Sequence, residues 1–292
     1  MTNMSLSLDW LRFTLPDGAL DDGERAPSFV GGETNECKPV LSYNTAVMNE
    51  FHSLHWHTDH PEFRVMVEMT GQQLSKLRKA GTTESGLISK AIELGAKFTR
   101  IDFAVDLFDT GGRPVDVLQC WRHDQFYTIA KSVSLVSKET RKSTTGETVY
   151  IGSRSSERLV RVYDKAQQQK TKTDWLRVEL EAKGKRADQL GRLMQSDGVD
   201  KSGLAMLADV CEWSDIDWFE NIWGSEYEPF EIDSIGRPET DRERWLRTVV
   251  VPVITEELEA GSAWLFDALA AVMQQTVDRQ GHGPHLTIPH KT

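Results

Sequence analysis

An α+β fold, with a central, largely antiparallel sheet, packed helices and a smaller, mainly helical C-terminal region, is predicted by three features of the chain. Short β-prone runs bounded by Gly, Pro, Asn and Asp recur through the first two thirds. Stretches with apolar residues at helical spacing lie between them, and the last third reads as helix or loop. At 292 residues and 39% hydrophobic, the chain is long enough to bury a sizeable core.

Residues 5–14 (SLSLDWLRFT) alternate loosely and stop before Pro16-Asp17-Gly18, a strand closed by a turn. VLSYNTAVM, FHSLHWH and EFRVMVEMT, within residues 40–57 and 62–70, predict a meander of short strands, and Gly71 ends the last of them. Residues 72–79 and 86–94 carry helical spacing. Residues 98–108 (FTRIDFAVDLF) are the strongest strand. Ile101, Phe103, Val105 and Leu107 share one face, and Arg100, Asp102, Ala104 and Asp106 share the other.

Pro114 opens a helix to Trp121, and β pattern returns over residues 127–137. Residues 148–151 and 159–163 predict a hairpin around the polar SRSSER connection, followed by a strand over residues 175–181 and a helix over residues 186–194. Ser, Asp and Gly cluster near residues 196–203. The expected organisation is therefore a main domain over 1–198, an acidic, mainly helical region over 199–280 that includes a helix at 253–277, and a disordered tail over 281–292.

The net charge of −11 excludes a protein that coats nucleic acid along its whole surface, but the charge is uneven. Residues 131–186 hold 14 Lys/Arg against 7 Asp/Glu, and residues 187–260 hold 6 against 18. A basic middle beside an acidic end fits contact with a polyanion through one region. No apolar run of membrane-spanning length and no secretion signal is read, so a cytoplasmic location without membrane association is expected. Cys37, Cys120 and Cys211 form neither a Cys-x-x-Cys pair nor an even disulfide set. A Walker phosphate loop and a Gly-x-Ser-x-Gly elbow are both missing.

Tyr163 is the candidate nucleophile. A phenol titrates near ~10, so it attacks phosphorus only where cations stabilise the phenolate, and Arg158, Arg161 and Lys165 are near in sequence. Asp102 and Asp106 on one strand, with Glu179 and Glu181 on another, can form an oxygen-rich site for Mg²⁺ or Mn²⁺. Each carboxylate alone is also what a solvated strand face carries, and Arg177 can pair with either glutamate. His55 and His57, two residues apart, are the alternative ligand pair.

Taken in order, Arg100-Ile101-Asp102 with Asp106, the run from Gly146 to Arg154, Arg161-Val162-Tyr163-Asp164-Lys165, Arg177-Val178-Glu179-Leu180-Glu181 and residues 183–187 resemble the replication initiation factor family over residues 5–195. That family includes rolling-circle initiators of plasmids and filamentous phages, and related relaxases. The resemblance implies a metal-dependent DNA nickase that forms a 5′ phosphotyrosine intermediate. It puts the nucleophile on Tyr163, with Tyr150 as the competing tyrosine, and a basic helper on Lys165. It favours Asp102, Asp106, Glu179 and Glu181 over the histidines as ligands of Mg²⁺ or Mn²⁺. Arg154, Arg158, Arg161, Arg177, Lys183, Lys185 and Arg186 are the expected DNA contacts. The implied partners are origin DNA, double-stranded and as an exposed single strand, with a host helicase and polymerase; a homodimer is compatible. The rival expectation is a DNA-binding regulator that keeps this scaffold without cutting.

Overall fold

In the computed structural model the described residues are 3–16, 19, 30–31, 33–60, 64–140, 143–212 and 255. The strands are β1 (Asn3–Leu15), β2 (Asn35–Glu36), β3 (Thr45–Met48), β4 (Ser53–Trp56), β5 (Val65–Thr70), β6 (Lys97–Phe108), β7 (Tyr127–Thr128), β8 (Val133–Thr140), β9 (Ser143–Ile151), β10 (Arg158–Asp164), β11 (Trp175–Lys183) and β12 (Cys211–Glu212). The helices are α1 (Gly71–Lys79), α2 (Glu84–Glu93), α3 (Pro114–Arg122), α4 (Lys165–Gln169), α5 (Gly184–Asp197) and α6 (Val199–Val210).

Ten strands form one sheet in the order β2-β3-β4-β5-β1-β6-β11-β10-β9-β8, every neighbouring pair antiparallel. The expected α+β architecture is present among the described residues, and the expected hairpin is β9 with β10. The strand alternation of β6 explains its central place. Ile101, Phe103, Val105 and Leu107 are fully buried on the face that receives the helices, together with Val160, Val162, Val178 and Leu180 of β10 and β11.

The loose alternation of β1 has a specific cause. Leu8 pairs with Phe103 and Trp10 with Asp102, so Asp9 is an extra residue in a β-bulge. Leu8 and Leu11 therefore both reach the core, while Asp9, Trp10 and Arg12 belong to the opposite, polar side. At the end of β5, Thr70 caps α1. Its side chain accepts from the Gln73 backbone, and Gln73 Oε1 accepts from the Thr70 N–H at 2.9 Å, so the strand passes directly into a helix.

Helices α5 and α6 lie close against the sheet because each presents a glycine. A methyl group at Gly191 would overlap the Phe98 ring, and one at Gly203 would overlap the Phe103 ring. Leu204, Met206 and Leu207 of α6 share the core with Leu190 and Met194 of α5, so the expected division between residues 198 and 199 falls between two helices of one core. The described residues through 212 lie within one unit, Met1–Ile232. The rest of the expected C-terminal region and tail, apart from residue 255, is outside the described residues. No helix among the described residues is long and apolar enough to cross a membrane.

Candidate active site

Pairing of β6 with β11 sets Asp102 opposite Glu181, Ala104 opposite Glu179 and Asp106 opposite Arg177. Pairing of β11 with β10 sets Glu179 opposite Arg161 and Arg177 opposite Tyr163. Directly opposed residues of an antiparallel pair share a face, so these side chains converge on the side of the sheet away from the helices.

Two clusters result. In the first, Arg161 Nη2 meets three carboxylates: Asp102 Oδ2 at 3.1 Å, Glu181 Oε2 at 3.4 Å, and Glu179 Oε1 in a short contact. Arg100 grips Asp102 through Nε at 2.8 Å and Nη2 at 2.6 Å, and reaches Glu181 at 3.0 Å. Lys183 Nζ pairs with Glu181 at 2.9 Å. Tyr163 Oη donates to Glu179 Oε2 at 2.8 Å, which ties the phenol to this cluster.

In the second cluster, Arg177 donates from Nε and Nη2 to the two oxygens of Asp106, each at 2.7 Å, and from Nη1 to Asp9 at 2.7 Å. Trp175 Nε1 donates to Asp106 at 2.6 Å. Asp106 was expected beside the other three carboxylates as a ligand. Its bidentate arginine partner, with the indole as a third donor, holds it in this separate group.

Burial pushes the Asp102 carboxyl up to about 7, against the lowering by Arg100. Glu181 is also penalised by burial, yet its cations outweigh that and leave it below the ordinary carboxylate range. Burial, and next the Glu179 charge, hold the Tyr163 phenol well above its usual value, so the resting hydroxyl is protonated. Burial and the nearby Arg177 lower Lys165, whose ammonium lies 5.6 Å from the Tyr163 ring centre.

Among the described residues no group of three or more His, Cys, Asp or Glu side chains is already placed to hold a metal ion. The donor chemistry nonetheless fits a hard cation: three carboxylates direct oxygens at one point, and Arg161 Nη2 occupies it as a stand-in positive charge. His55 lies on β4, three strands from β6, with Nε2 3.0 Å from Ser53 Oγ. The His57 ring lies against Tyr43 and His60, with ring centres 5.3 and 6.2 Å away.

The expected DNA contacts divide. Arg154 and Lys185 are exposed. Arg161 and Arg177 are inside the clusters, Arg158 pairs with Asp209, and Arg186 donates to Gln189 at 3.0 Å. Lys183 also donates to the Arg154 carbonyl at 2.5 Å. Tyr150 stands opposite Arg161 on β9, and its hydroxyl accepts from Arg154 Nη2 at 3.4 Å. Sequence reasoning missed Arg100, Asp9 and Trp175 as members of the site. Arg100 was legible as the i−2 neighbour of Asp102 on one strand face; Asp9 was hidden by its bulge.

The model of the replication initiation factor family matches residues 96–218. The resemblance to that family holds. The matched stretch contains β6, β9, β10 and β11, and hence all four carboxylates and both tyrosines. A solved structure, the rolling circle replication initiator protein from Geobacillus stearothermophilus, is similar with a TM-score of 0.59 and 20% identity. The similarity covers 72% of this chain and 87% of that one, and it shows a shared fold. A search of the curated proteins finds no significant match.

Proposed function

We propose that this protein initiates rolling-circle replication by nicking and rejoining a DNA strand at an origin, with Tyr163 as nucleophile. One observation carries the reading: the Tyr163 hydroxyl donates to Glu179 within a buried three-carboxylate cluster, a nucleophile and its proton acceptor in contact. Glu179 Oε2 takes the phenolic proton as Tyr163 Oη bonds to the scissile phosphorus. The P–O3′ bond breaks, leaving a 5′ phosphotyrosyl link and a 3′ oxygen that gains a proton and can prime a polymerase. Attack by a 3′ hydroxyl on the phosphotyrosine reverses the step and closes the strand.

Asp102, Glu179 and Glu181 are the residues that would hold Mg²⁺ or Mn²⁺, which supplies neutralisation of the phosphate and stabilisation of the phenolate. A cation held there would take the place of the Arg161 guanidinium. Lys165 adds positive charge beside the tyrosine ring, and the exposed Arg154 and Lys185 hold the backbone of the strand.

The second reading, a DNA-binding regulator that does not cut, draws on the same cluster. Asp102, Glu179 and Glu181 are already balanced by Arg100, Arg161 and Lys183. Nicking of supercoiled origin DNA with Mg²⁺ and with chelator separates the two. Metal-dependent nicking that Tyr163→Phe abolishes supports the first; origin binding without nicking under any divalent metal overturns it.

A further inference from the structure

Three arginines stand among the carboxylates of the site, and one of them is held differently. Arg100 closes on both oxygens of Asp102, through Nε at 2.8 Å and Nη2 at 2.6 Å. Arg177 spends Nε, Nη1 and Nη2 on Asp106 and Asp9. Forked contacts of this kind use the guanidinium geometry fully. Arg161 instead meets three carboxylates with a single nitrogen, Nη2, while its buried Nε–H has no hydrogen-bond partner among the described residues. A buried donor left unpaired is destabilising, so charge rather than hydrogen-bond fit keeps Arg161 at this point.

The Arg161 side chain keeps 23% exposure, which gives the guanidinium a way out toward solvent. Its cross-strand neighbour on β9 is Tyr150, whose ring centre lies 5.5 Å from the guanidinium of the exposed Arg154. A guanidinium that leaves the carboxylates on that side joins a cation already given to the DNA backbone. The charges set the consequence. Asp102, Glu179 and Glu181 are balanced by Arg100, Arg161 and Lys183. A divalent ion in place of the Arg161 guanidinium leaves the cluster one positive charge in excess, and the released guanidinium is a further cation for a phosphodiester.

We propose that Arg161 is a placeholder cation whose exchange for Mg²⁺ or Mn²⁺ couples metal loading to phosphodiester binding. Without DNA the metal must displace Arg161, so its apparent affinity is reduced by the small fraction of molecules in which the point is free. With DNA the displaced guanidinium gains a phosphate partner, and each ligand then tightens the other by the same factor. Arg161 thereby holds the site closed to metal until a strand is present. The inference rests on the metal-binding reading of the three carboxylates and is independent of nicking, because the coupling is a property of binding.

The test is calorimetric titration of the full chain with Mn²⁺, alone and with saturating oligo(dT). Wild-type protein should bind Mn²⁺ about fivefold or more tighter when oligo(dT) is present, and Glu181→Gln should lose this binding, which separates it from weak sites elsewhere. Arg161→Met should bind Mn²⁺ more tightly than the wild type without DNA, and its coupling should fall to about twofold or less. Arg161→Gln, which keeps a donor for the carboxylates, is read in the same way if the methionine variant does not fold. Mn²⁺ affinity indifferent to oligo(dT) in the wild type, binding undiminished in Glu181→Gln, or full coupling in a folded Arg161 variant overturns the proposal. Coupling that depends on Arg161 in a protein that does not nick origin DNA would sink the nicking proposal and leave the placeholder standing; metal-dependent nicking without coupling does the reverse.

Discussion

Arg161→Met removes the charge on which three carboxylates converge and keeps most of the aliphatic stem. At the 3.1 Å separation from Asp102, a single pair is worth about 5 kcal/mol at an effective dielectric of 20, before desolvation is charged against it. The Asp102, Glu179 and Glu181 side chains are only 2, 5 and 10% exposed, so water replaces the guanidinium poorly. Loss of one partner of such a buried group costs about 3–5 kcal/mol, or roughly 6–20 °C in melting temperature for a unit of this size. The variant in EDTA at pH 8 should therefore melt well below the wild type. Mg²⁺ at about 100 times its dissociation constant returns about 2.7 kcal/mol, and the variant should respond more than the wild type because the cation point is vacant. Thermal unfolding with and without Mg²⁺ measures both effects. A variant as stable as the wild type in EDTA, or equal Mg²⁺ shifts in both proteins, refutes the reasoning.

Gly191→Ala or Gly203→Ala drives a methyl group into Phe98 or Phe103, and each should destabilise by about 1–3 kcal/mol in denaturant titration. Asp106→Asn leaves Arg177 without its bidentate carboxylate partner; a loss of about 3–5 kcal/mol is expected, larger than that of Asp9→Asn, whose side chain is 29% exposed. His55 is held below its ordinary basicity by burial, so the unfolded chain takes up a proton that the folded state resists. Its contribution is present above pH ~6.5 and lost as pH falls below that value, and His55→Asn should flatten this part of the stability profile. The buried Cys211 thiol is pushed far above its usual range, so a thiol reagent at pH 8 should modify it only on unfolding.

The strands that build the site were legible because each alternates cleanly. Ile101, Phe103, Val105 and Leu107 mark the buried face of β6, and Asp102 and Asp106 follow on the other. What alternation cannot give is register between strands far apart in sequence. Asp102 meets Glu181, but Asp106 meets Arg177, and that one pairing separates a carboxylate from the other three. Spacing along a chain also cannot distinguish an arginine that awaits DNA from one that balances a buried carboxylate; Arg161 and Arg177 are of the second kind here. The bulge at Asp9 shifts β1 by one residue, so Trp10 and Arg12 face the site instead of sharing the buried face of Leu8. The β5-to-α1 junction was legible at Gly71, though the glycine starts the helix and Thr70 makes the cap.

The claim that Tyr163 attacks the phosphate is tested most directly by mapping the covalent adduct. Protein incubated with labelled origin DNA and Mg²⁺ is digested, and the nucleotide-bearing peptide is identified by mass spectrometry. The account predicts a phosphotyrosyl link on Tyr163 that disappears with chelator and in Tyr163→Phe. An adduct on Tyr150, or one undiminished in Tyr163→Phe, would contradict it.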